Sequence, residues 1–361
     1  MATVLLTGAR APVALEIARS FRALGHRVFM ADSLHWPLAR WSNSIEHYHR
    51  IPSPVHDLHG FYAALNSIIL KEKIDHLIPT CEETFYISSY ENFPKHCKVW
   101  TSGISLLEIL HHKYKFIQLA ADHFVVPKTT SCEHFQDWKN AEEYVFKPVY
   151  SRFASSTIIR KKEKYCNAPK AAPAKWIAQE YIAGKEICVY SIWDHGVLKA
   201  YSCYHSPYRA GKGAGILFEP YEHEPAFKAV KKIGEAIQYT GQLSFDIIIK
   251  NDQPYVLECN PRATSGAHLL NASLGEAFMD TKFILTKPAR TFLLRVPVLL
   301  TNPLAVFNKK FYSSKDVIFH YNDWKPALLQ PASLVELFYK KLKYKITLLQ
   351  ATTEDIEWNG Q

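Results

Sequence analysis

Glycine is scarce in this chain. Only 14 of 361 residues are glycine, little more than half of the roughly 7% that globular chains average. None lies between Gly103 and Gly184. Collagen-like and glycine-rich linker architectures are thereby excluded. Paired cysteines are also missing: Cys81, Cys97, Cys132, Cys166, Cys188, Cys203 and Cys259 are odd in number, scattered, and form no C-x-x-C. That argues against a disulfide framework or a zinc ribbon and reads as reduced thiols in a cytoplasmic protein. The 17 histidines form no H-E-x-x-H or other metal spacing. No apolar run is long enough to span a bilayer, because the best stretch, Phe292 to Phe307, is interrupted by Arg295, Pro297, Asn302 and Pro303. The N-terminus enters an apolar strand at once (Thr3 to Thr7), with no signal-peptide pattern. The expectation is a soluble, cytoplasmic protein without a membrane span.

What is present suffices for a large core. Hydrophobic residues make up 48% and charged residues 21%, with 20 Tyr and 20 Phe, which suits two or three globular domains. Net charge is +9. Residues 281–361 hold 12 Lys/Arg and 6 Asp/Glu, so +6 of that charge is C-terminal. A basic balance favours anionic partners without choosing among them.

Residues 1–100 alternate strand and helix patterns: Val4–Thr7, a helix with Val13, Ile17, Phe21 and Leu24, then Arg27–Ala31, a helix over 61–71, and the strand His76–Pro79. Such alternation predicts a parallel α/β sheet. A single helix is expected over 105–124. Short strands follow at 144–147 and 156–160, then an Ala/Pro-rich turn at 167–175. Strands resume at 176–181, 186–193 and 197–204; a helix over 227–239 precedes strands 243–250 and 254–258. This half reads as antiparallel and α+β. Near the end, Leu334, Leu337, Phe338, Lys341 and Leu342 trace a basic amphipathic helix, expected to bury its apolar face and leave its lysine edge in water.

Two stretches bear on chemistry. The opening turn, Thr7-Gly8-Ala9-Arg10-Ala11-Pro12, stands where a dinucleotide fold places its glycine loop, and Asp32 stands where a ribose-binding acid would be. G-x-G-x-x-G is absent, so the turn reads as a strand–turn–helix without a bound dinucleotide. More informative is Leu243-Ser244-Phe245-Asp246 followed by Glu258-Cys259-Asn260-Pro261-Arg262. On adjacent antiparallel strands Asp246 and Glu258 can lie side by side, and Glu258 and Asn260 share a strand face. Two carboxylates and an amide oxygen are hard ligands suited to Mg²⁺. Arg262 is placed to neutralise phosphate or developing negative charge.

That pattern resembles the magnesium-binding signature of the ATP-grasp superfamily, which includes carbamoyl-phosphate synthetase large chains, biotin carboxylase, D-alanine–D-alanine ligase and other carboxylate–amine ligases. The resemblance implies a Rossmann-like pre-ATP-grasp domain over residues 1–110 and a small subdomain over 111–178. A large subdomain over 179–280 and a basic C-terminal segment of unassigned role over 281–361 complete the α/β plus α+β layout. It further implies that Lys147, in Tyr144-Val145-Phe146-Lys147-Pro148, reaches adenine and the α-phosphate, and that Lys113 is the earlier phosphate-binding lysine, with His112-Lys113 in place of the usual Asp-Lys. Gln179, Glu180, Tyr181 and Ile182 match the adenine hinge, and Glu186 the acid that binds ribose hydroxyls. Asp246, Glu258 and Asn260 become Mg²⁺ ligands and Arg262 the acylphosphate contact. The loop 148–157 departs from the family in having no glycine; Ser151, Ser155 and Ser156 offer hydroxyls and Arg152 charge, on a backbone expected to be stiffer. Arg209 and Lys212, in the one glycine cluster, and Ser265 and His268 after the metal strand are candidate substrate contacts.

The implied activity is an ADP-forming ligase that uses ATP with Mg²⁺, or Mn²⁺ in its place, to activate a small-molecule carboxylate as an acylphosphate for attack by an amine. Neither membrane nor nucleic acid is an expected partner, and a homodimer is compatible with the family. Rival readings are an ATP-binding sensor or scaffold with little catalysis, and an NAD-dependent oxidoreductase built on the first domain.

Overall fold

In the computed structural model of the chain, residues 1–152, 154, 156–210, 213–279, 283–285 and 290–360 are described. The first hundred residues build a parallel sheet from β1 (Thr3–Thr7), β2 (Arg27–Asp32), β3 (His47–Arg50), β4 (His76–Ile78) and β5 (Lys98–Val99), in the order β3-β2-β1-β4-β5. Strand β1 is buried throughout, with an apolar centre at Val4–Leu6, because helices cover both faces. Val4 and Leu6 pack with Ile17 and Phe21 of α1 (Pro12–Ala23), and Leu5 packs with Phe61, Leu65 and Ile69 of α2 (Leu58–Glu72). Each such side chain contributes roughly 1.5–3 kcal/mol on burial. Gly8 turns the chain from β1 toward α1 at φ +75°, and a Cβ there would lie 2.4 Å from Thr80 Oγ1. Helix α3 (Glu83–Ser88) starts just beyond β4.

The expected helix over 105–124 is two helices, α4 (Ile104–His111) and α5 (Lys113–Ala120). The apolar periodicity runs through both, but His112 is extended (φ −75°, ψ 105°) and its Nδ1 accepts from the Lys115 N–H. Burial, and the nearby cation of Lys115, lower the proton affinity of His112 and so keep it an acceptor. Histidine thus caps α5 as an aspartate would.

A small antiparallel sheet follows: β6 (Thr129–Ser131), β7 (Tyr144–Pro148), β8 (Ile158–Ile159) and β9 (Trp176–Glu180), in the order β6-β9-β7-β8. Its own core is Phe135, Phe146, Ala178 and Cys132. The strand expected at 156–160 is only the two residues of β8, since pairing to β7 covers no more. The expected turn at 167–175 folds as α6 (Asn167–Ala171) and a 3₁₀ turn, Pro173–Lys175; its alanines favour helix and Pro173 begins the next turn.

The large sheet contains β10 (Lys185–Asp194), β11 (Val197–His205), β14 (Leu217–Pro220), β15 (Gly241–Lys250), β16 (Gln253–Asn260), β18 (Phe292–Leu293) and β19 (Lys315–Asp316). Their order is β16-β15-β10-β11-β14-β18-β19, with β17 (Ile284–Leu285) beside β11 and the hairpin β12 (Arg209–Ala210) and β13 (Ala214–Gly215) standing apart. It is mixed rather than wholly antiparallel, because β17 and β19 join parallel to their neighbours. Ala226, Val230 and Ile233 of α7 (Glu224–Ala236) pack against Ile187, Val189, Phe245 and Val256 on one face. Beyond the sheet, α8 (Ala267–Leu270) and α9 (Ser273–Met279) bring Leu274, Ala277 and Phe278 onto α1.

After α10 (Arg295–Thr301), α11 (Lys309–Ser313), α12 (Lys325–Leu328) and α13 (Gln330–Tyr344) the chain returns to the N-terminal sheet. The expected orientation of α13 holds only in part: Leu334, Leu337 and Lys341 are half-buried, but Phe338 and Leu342, with Val335 and Tyr339, are exposed, and Lys340 is buried. The reason is polar. Lys340 Nζ reaches Glu354 (2.8 Å) and Asp355 (3.1 Å), and Glu336 accepts from the His35 and Trp36 amides. Among the described residues, no helix is long and apolar enough to cross a membrane.

Candidate active site

The site lies between the small antiparallel sheet and the large mixed sheet. Strand alternation on the large sheet sends Ile187, Val189, Phe245, Ile247 and Cys259 into the core, and leaves the intervening polar residues on the other face. Across three strands, Cys188 pairs with Asp246 and Asp246 with Glu258. The register shifts just past Asp246, a bulge of the kind that re-aims side chains. Glu186 and Asn260 extend this polar row, two residues from Cys188 and Glu258 respectively.

Two lysines oppose the row. Lys147 on β7 is buried, and its Nζ donates to Gln179 Oε1 at 3.0 Å. Lys113, the first residue of α5, is equally buried, with Nζ 3.2 Å from the Ser151 carbonyl and 3.5 Å from Glu258 Oε2. The helix break at His112 therefore has a purpose: it starts α5 at the cleft, where the Lys113 N–H also donates to Val149 O of the glycine-free loop (3.3 Å).

The charges are interdependent. Burial lowers the proton affinity of Lys147, and Lys113 lowers it further against the pull of Glu258. Burial alone would raise Glu258, but Lys113 and Lys147 hold it well ionised. Burial and then the Glu258 charge raise Asp246, so the two carboxylates share one region that repels a second negative charge. The Cys188 thiol donates to Asp246 Oδ1 (3.1 Å), and burial keeps it a neutral thiol. Asn260 Nδ2 faces Asp246 Oδ2 at 3.4 Å, while its Oδ1 accepts from Arg262. A half-turn of that amide would present Oδ1 beside Asp246. Mutually repelling carboxylates with an amide oxygen suit a hard divalent cation, which would relieve the repulsion. The donor set therefore fits Mg²⁺. Among the described residues there is no cluster of three or more His, Cys, Asp or Glu side chains that could hold a metal; the set here is two carboxylates and an amide.

Arg152 does not point at phosphates as expected. Its guanidinium forks onto both oxygens of Glu82, with Nε at 2.7 and 2.8 Å, and also binds the Trp358 carbonyl (2.6 Å) and Asn359 Oδ1 (2.9 Å). Glu82 further accepts from the Trp358 N–H (3.1 Å) and lies 3.8 Å from Arg262 Nε. Trp358 stacks on Phe85, with ring centroids 5.9 Å apart. The loop is thus tied to the first sheet and to the C-terminal segment by a buried two-pronged ion pair. Within it Ala154 sits at φ +51°, a left-handed conformation that glycine would adopt without strain.

This tie has a pH signature. Burial would raise Glu82, but Arg152 holds it down at about 2. A carboxylate depressed in the folded state adds stability above its unfolded value, near 4.5, and loses it as pH falls toward the folded one. Arg152→Met leaves the buried Glu82 with only the Trp358 N–H and the more distant Arg262, so most of its contribution is lost. The gap in melting temperature between parent and Arg152→Met is expected to be widest above about pH 5 and to narrow on acidification toward pH 3. A gap that is constant or grows in acid would remove Glu82 as the partner.

The remaining candidates fall at varied distances from this centre. Gln179 enters through its side chain, with Nε2 donating to Thr129 Oγ1 (3.2 Å). Glu180 accepts from the Lys128 N–H (3.3 Å), Tyr181 lies under Arg160, and Ile182 is buried; together they carry the chain from β9 to β10. Glu186 is engaged by Arg209 (2.7 Å), which puts Arg209 beside the expected ribose acid. Ser156 is exposed on the loop and Ser265 half-buried after β16. Ser155 and Lys212 lie outside the described residues. His268 is not a cleft residue: it is 1% exposed, stacks on Phe218, and its Nδ1 lies 3.6 Å from Glu16 of α1. The α8–α1 packing that turns it inward could not be read from its place after the metal strand. Asp32 is taken by Arg10, whose backbone N–H (2.9 Å) and Nε (3.1 Å) both donate to it, while Arg10 also binds Asp355 and the Thr352 carbonyl. The crevice of the parallel sheet is thereby filled by protein, in keeping with the absent glycine motif.

Sequence reasoning missed Glu82. Its signal was available: the acids Glu82 and Glu83 follow directly on a parallel strand, at the carboxyl edge where α/β sheets gather ligands.

Lys147 of the small sheet and Lys113 of α5 on one side, and the acids of the large sheet on the other, make an arrangement that can hold a polyphosphate and its cation. Sequence and structure comparisons agree with that class. The profile of the ATP-grasp domain family matches residues 110–266. That match takes in less than half of the chain and holds both lysines, both carboxylates, Asn260 and Arg262. No curated protein sequence matches the chain. Among solved structures, N5-carboxyaminoimidazole synthetase from Staphylococcus aureus, complexed with ADP, superposes with a TM-score of 0.65 at 14% identity, over 90% of this chain and 91% of that one. The biotin carboxylase domain of Hydrogenobacter thermophilus 2-oxoglutarate carboxylase, solved with MgADP, ADP and bicarbonate, gives 0.58 at 13% identity, over 78% and 70%. The L-amino acid ligase from Bacillus licheniformis gives 0.57 at 12% identity, over 81% and 78%. At these identities the likeness is one of fold.

Proposed function

We propose that this protein is an ATP- and Mg²⁺-dependent, ADP-forming ligase that activates a small-molecule carboxylate as an acylphosphate and passes the acyl group to an amine. The observation that carries the reading is the convergence of Lys113 and Lys147 on Asp246 and Glu258, from segments far apart in sequence, within the stretch that matches the ATP-grasp domain family. Residues 1–110 serve as the Rossmann-like pre-ATP-grasp domain. Residues 111–178 and 179–280 are the two gripping subdomains, and 281–361 the basic extension.

In this reading Lys113 and Lys147 hold the phosphates, and Asp246, Glu258 and Asn260 hold Mg²⁺. The metal supplies charge neutralisation at the phosphate oxygens. Gln179, Glu180, Tyr181 and Ile182 line the adenine side, and Glu186 faces the ribose once Arg209 releases it. Arg262, adjoining Asn260 and Glu82, stabilises negative charge on the transferring phosphoryl group and the acylphosphate. Phosphoryl transfer asks the protein mainly for position and charge, which fixed lysines provide. The buried thiols need no catalytic part. The oxidoreductase reading loses its site to Arg10 and Asp355.

The test has two stages. MgADP is expected to protect the protein from thermal unfolding, by about 2.7 kcal/mol at roughly 100 times its Kd, and NADH is expected to give no protection. ADP release is then screened over pairs of carboxylates and amines, with Glu258→Ala and Lys147→Ala as controls. Protection by NADH alone, or equal ADP release from parent and both variants, would overturn the assignment.

A further inference from the structure

Helix α13 is built the wrong way round for a core helix. Its inward side holds the half-buried Leu334 and Leu337 but is anchored by polar contacts: Lys340 is buried against Glu354 and Asp355, Glu336 accepts two backbone amides, and Ser333 donates to the Trp36 carbonyl (2.6 Å). Its outward side is apolar, with Val335 60% exposed, Phe338 47%, Tyr339 63% and Leu342 75%. These four positions follow i, i+3, i+4, i+7, so they form one stripe along the helix. At roughly 100° per residue, Lys341 and Lys343 fall about 100° to either side of the stripe's centre. Lys345 follows the helix, and residues 281–361 carry 12 Lys/Arg against 6 Asp/Glu. A solvent-facing stripe of a valine, a leucine and two aromatics is costly to leave in water, while the inward contacts fix the helix so that it cannot roll the stripe under.

We propose that α13 is an interfacial helix that seats this protein on an anionic phospholipid surface. Val335, Phe338, Tyr339 and Leu342 enter the headgroup boundary while Lys341, Lys343 and Lys345 meet lipid phosphates. The complementarity of charge selects this occupant: an apolar stripe edged by lysine on both sides matches a bilayer with negative headgroups, which attracts each lysine near its surface. A second copy of the chain would bring lysines onto lysines around the same stripe. The proposal does not rest on the ligase reading, because none of these residues borders the cleft.

Flotation of the full chain with vesicles tests it, comparing phosphatidylcholine alone with phosphatidylcholine mixed with phosphatidylglycerol. The parent is expected to float with the anionic vesicles, weakly with neutral ones, and less as salt is raised. Leu342→Asp, at an exposed position, is expected to weaken binding at least about ten-fold while melting as the parent does. Lys341→Gln and Lys343→Gln are each expected to weaken it about five-fold. A parent that does not float, or a Leu342→Asp variant that floats equally well, would overturn the proposal. So would a dimer in solution that Leu342→Asp dissolves without any vesicle binding, since the face would then belong to a second copy.

Discussion

Glu258→Gln is expected to lower ADP release by about 10²–10³-fold, the usual loss when one preorganised electrostatic contact is removed from a reacting centre. Glu258 lies 3.5 Å from the Lys113 ammonium and opposite Asp246 in register. It is the one carboxylate there that Lys113 and Lys147 hold charged. Glutamine keeps the shape and removes the charge, so both lysines lose the anion that balances them and a cation loses its strongest oxygen donor. Stability should change little, because 27% of the side chain is exposed and Asp246 is relieved of a like charge. The discriminating measurement is ADP release at saturating MgATP beside a thermal melt. Unchanged turnover would show that Glu258 is not in the reacting centre, and a collapse in melting temperature would make it structural.

The largest stability effect is expected at Arg10, far from the cleft. Its guanidinium lies between Asp32 and Asp355 with side-chain exposures of 7%, 2% and 6%, and it also binds the Thr352 carbonyl and Ser33 Oγ. Against the cost of burial, the two carboxylates raise the Arg10 proton affinity well above its ordinary range, and Arg10 holds Asp355 well below its own. Arg10→Ala leaves the buried Asp32 without a cation and Asp355 with Lys340 alone, and should cost about 3–5 kcal/mol in urea unfolding. Asp32→Asn in the same background should recover part of that loss, since removing both members of a buried ion pair is far less harmful than removing one. A cost below about 1 kcal/mol for Arg10→Ala would mean that water reaches the network.

The same arginine marks where local sequence stops being informative. The pair Asp246/Glu258, the spacing Glu258-x-Asn260-x-Arg262 and the Lys-Pro strand at 147–148 were legible because strand alternation and short-range spacing place those side chains whatever else the chain does. The parallel first sheet was legible for the same reason, since fully covered strands must be apolar. The partners of Arg10 and Arg152 were not. Asp355 lies 345 residues from Arg10 and Trp358 lies 206 from Arg152, and no local pattern encodes which distant segment returns to cover a crevice. The break between α4 and α5 was hidden by continuous periodicity, although His112 before Lys113 was visible as a departure.

Helix α13 shows the division most plainly. The sequence by itself determined an amphipathic helix with Leu334, Leu337, Phe338 and Leu342 along one side, and helical spacing alone puts Val335, Phe338, Tyr339 and Leu342 within one stripe and Lys340 away from it. Only the tertiary structure decided which face is inside. Lys340 is drawn to Glu354 and Asp355, two acids beyond the helix that are themselves bound to the first domain. Ion pairs formed across the whole chain, rather than the hydrophobicity of the helix, set its orientation. The scarce glycine divides in the same way: its absence from the loop 148–157 was a fact of sequence, but the tertiary structure supplied the Arg152–Glu82 tie that holds that loop.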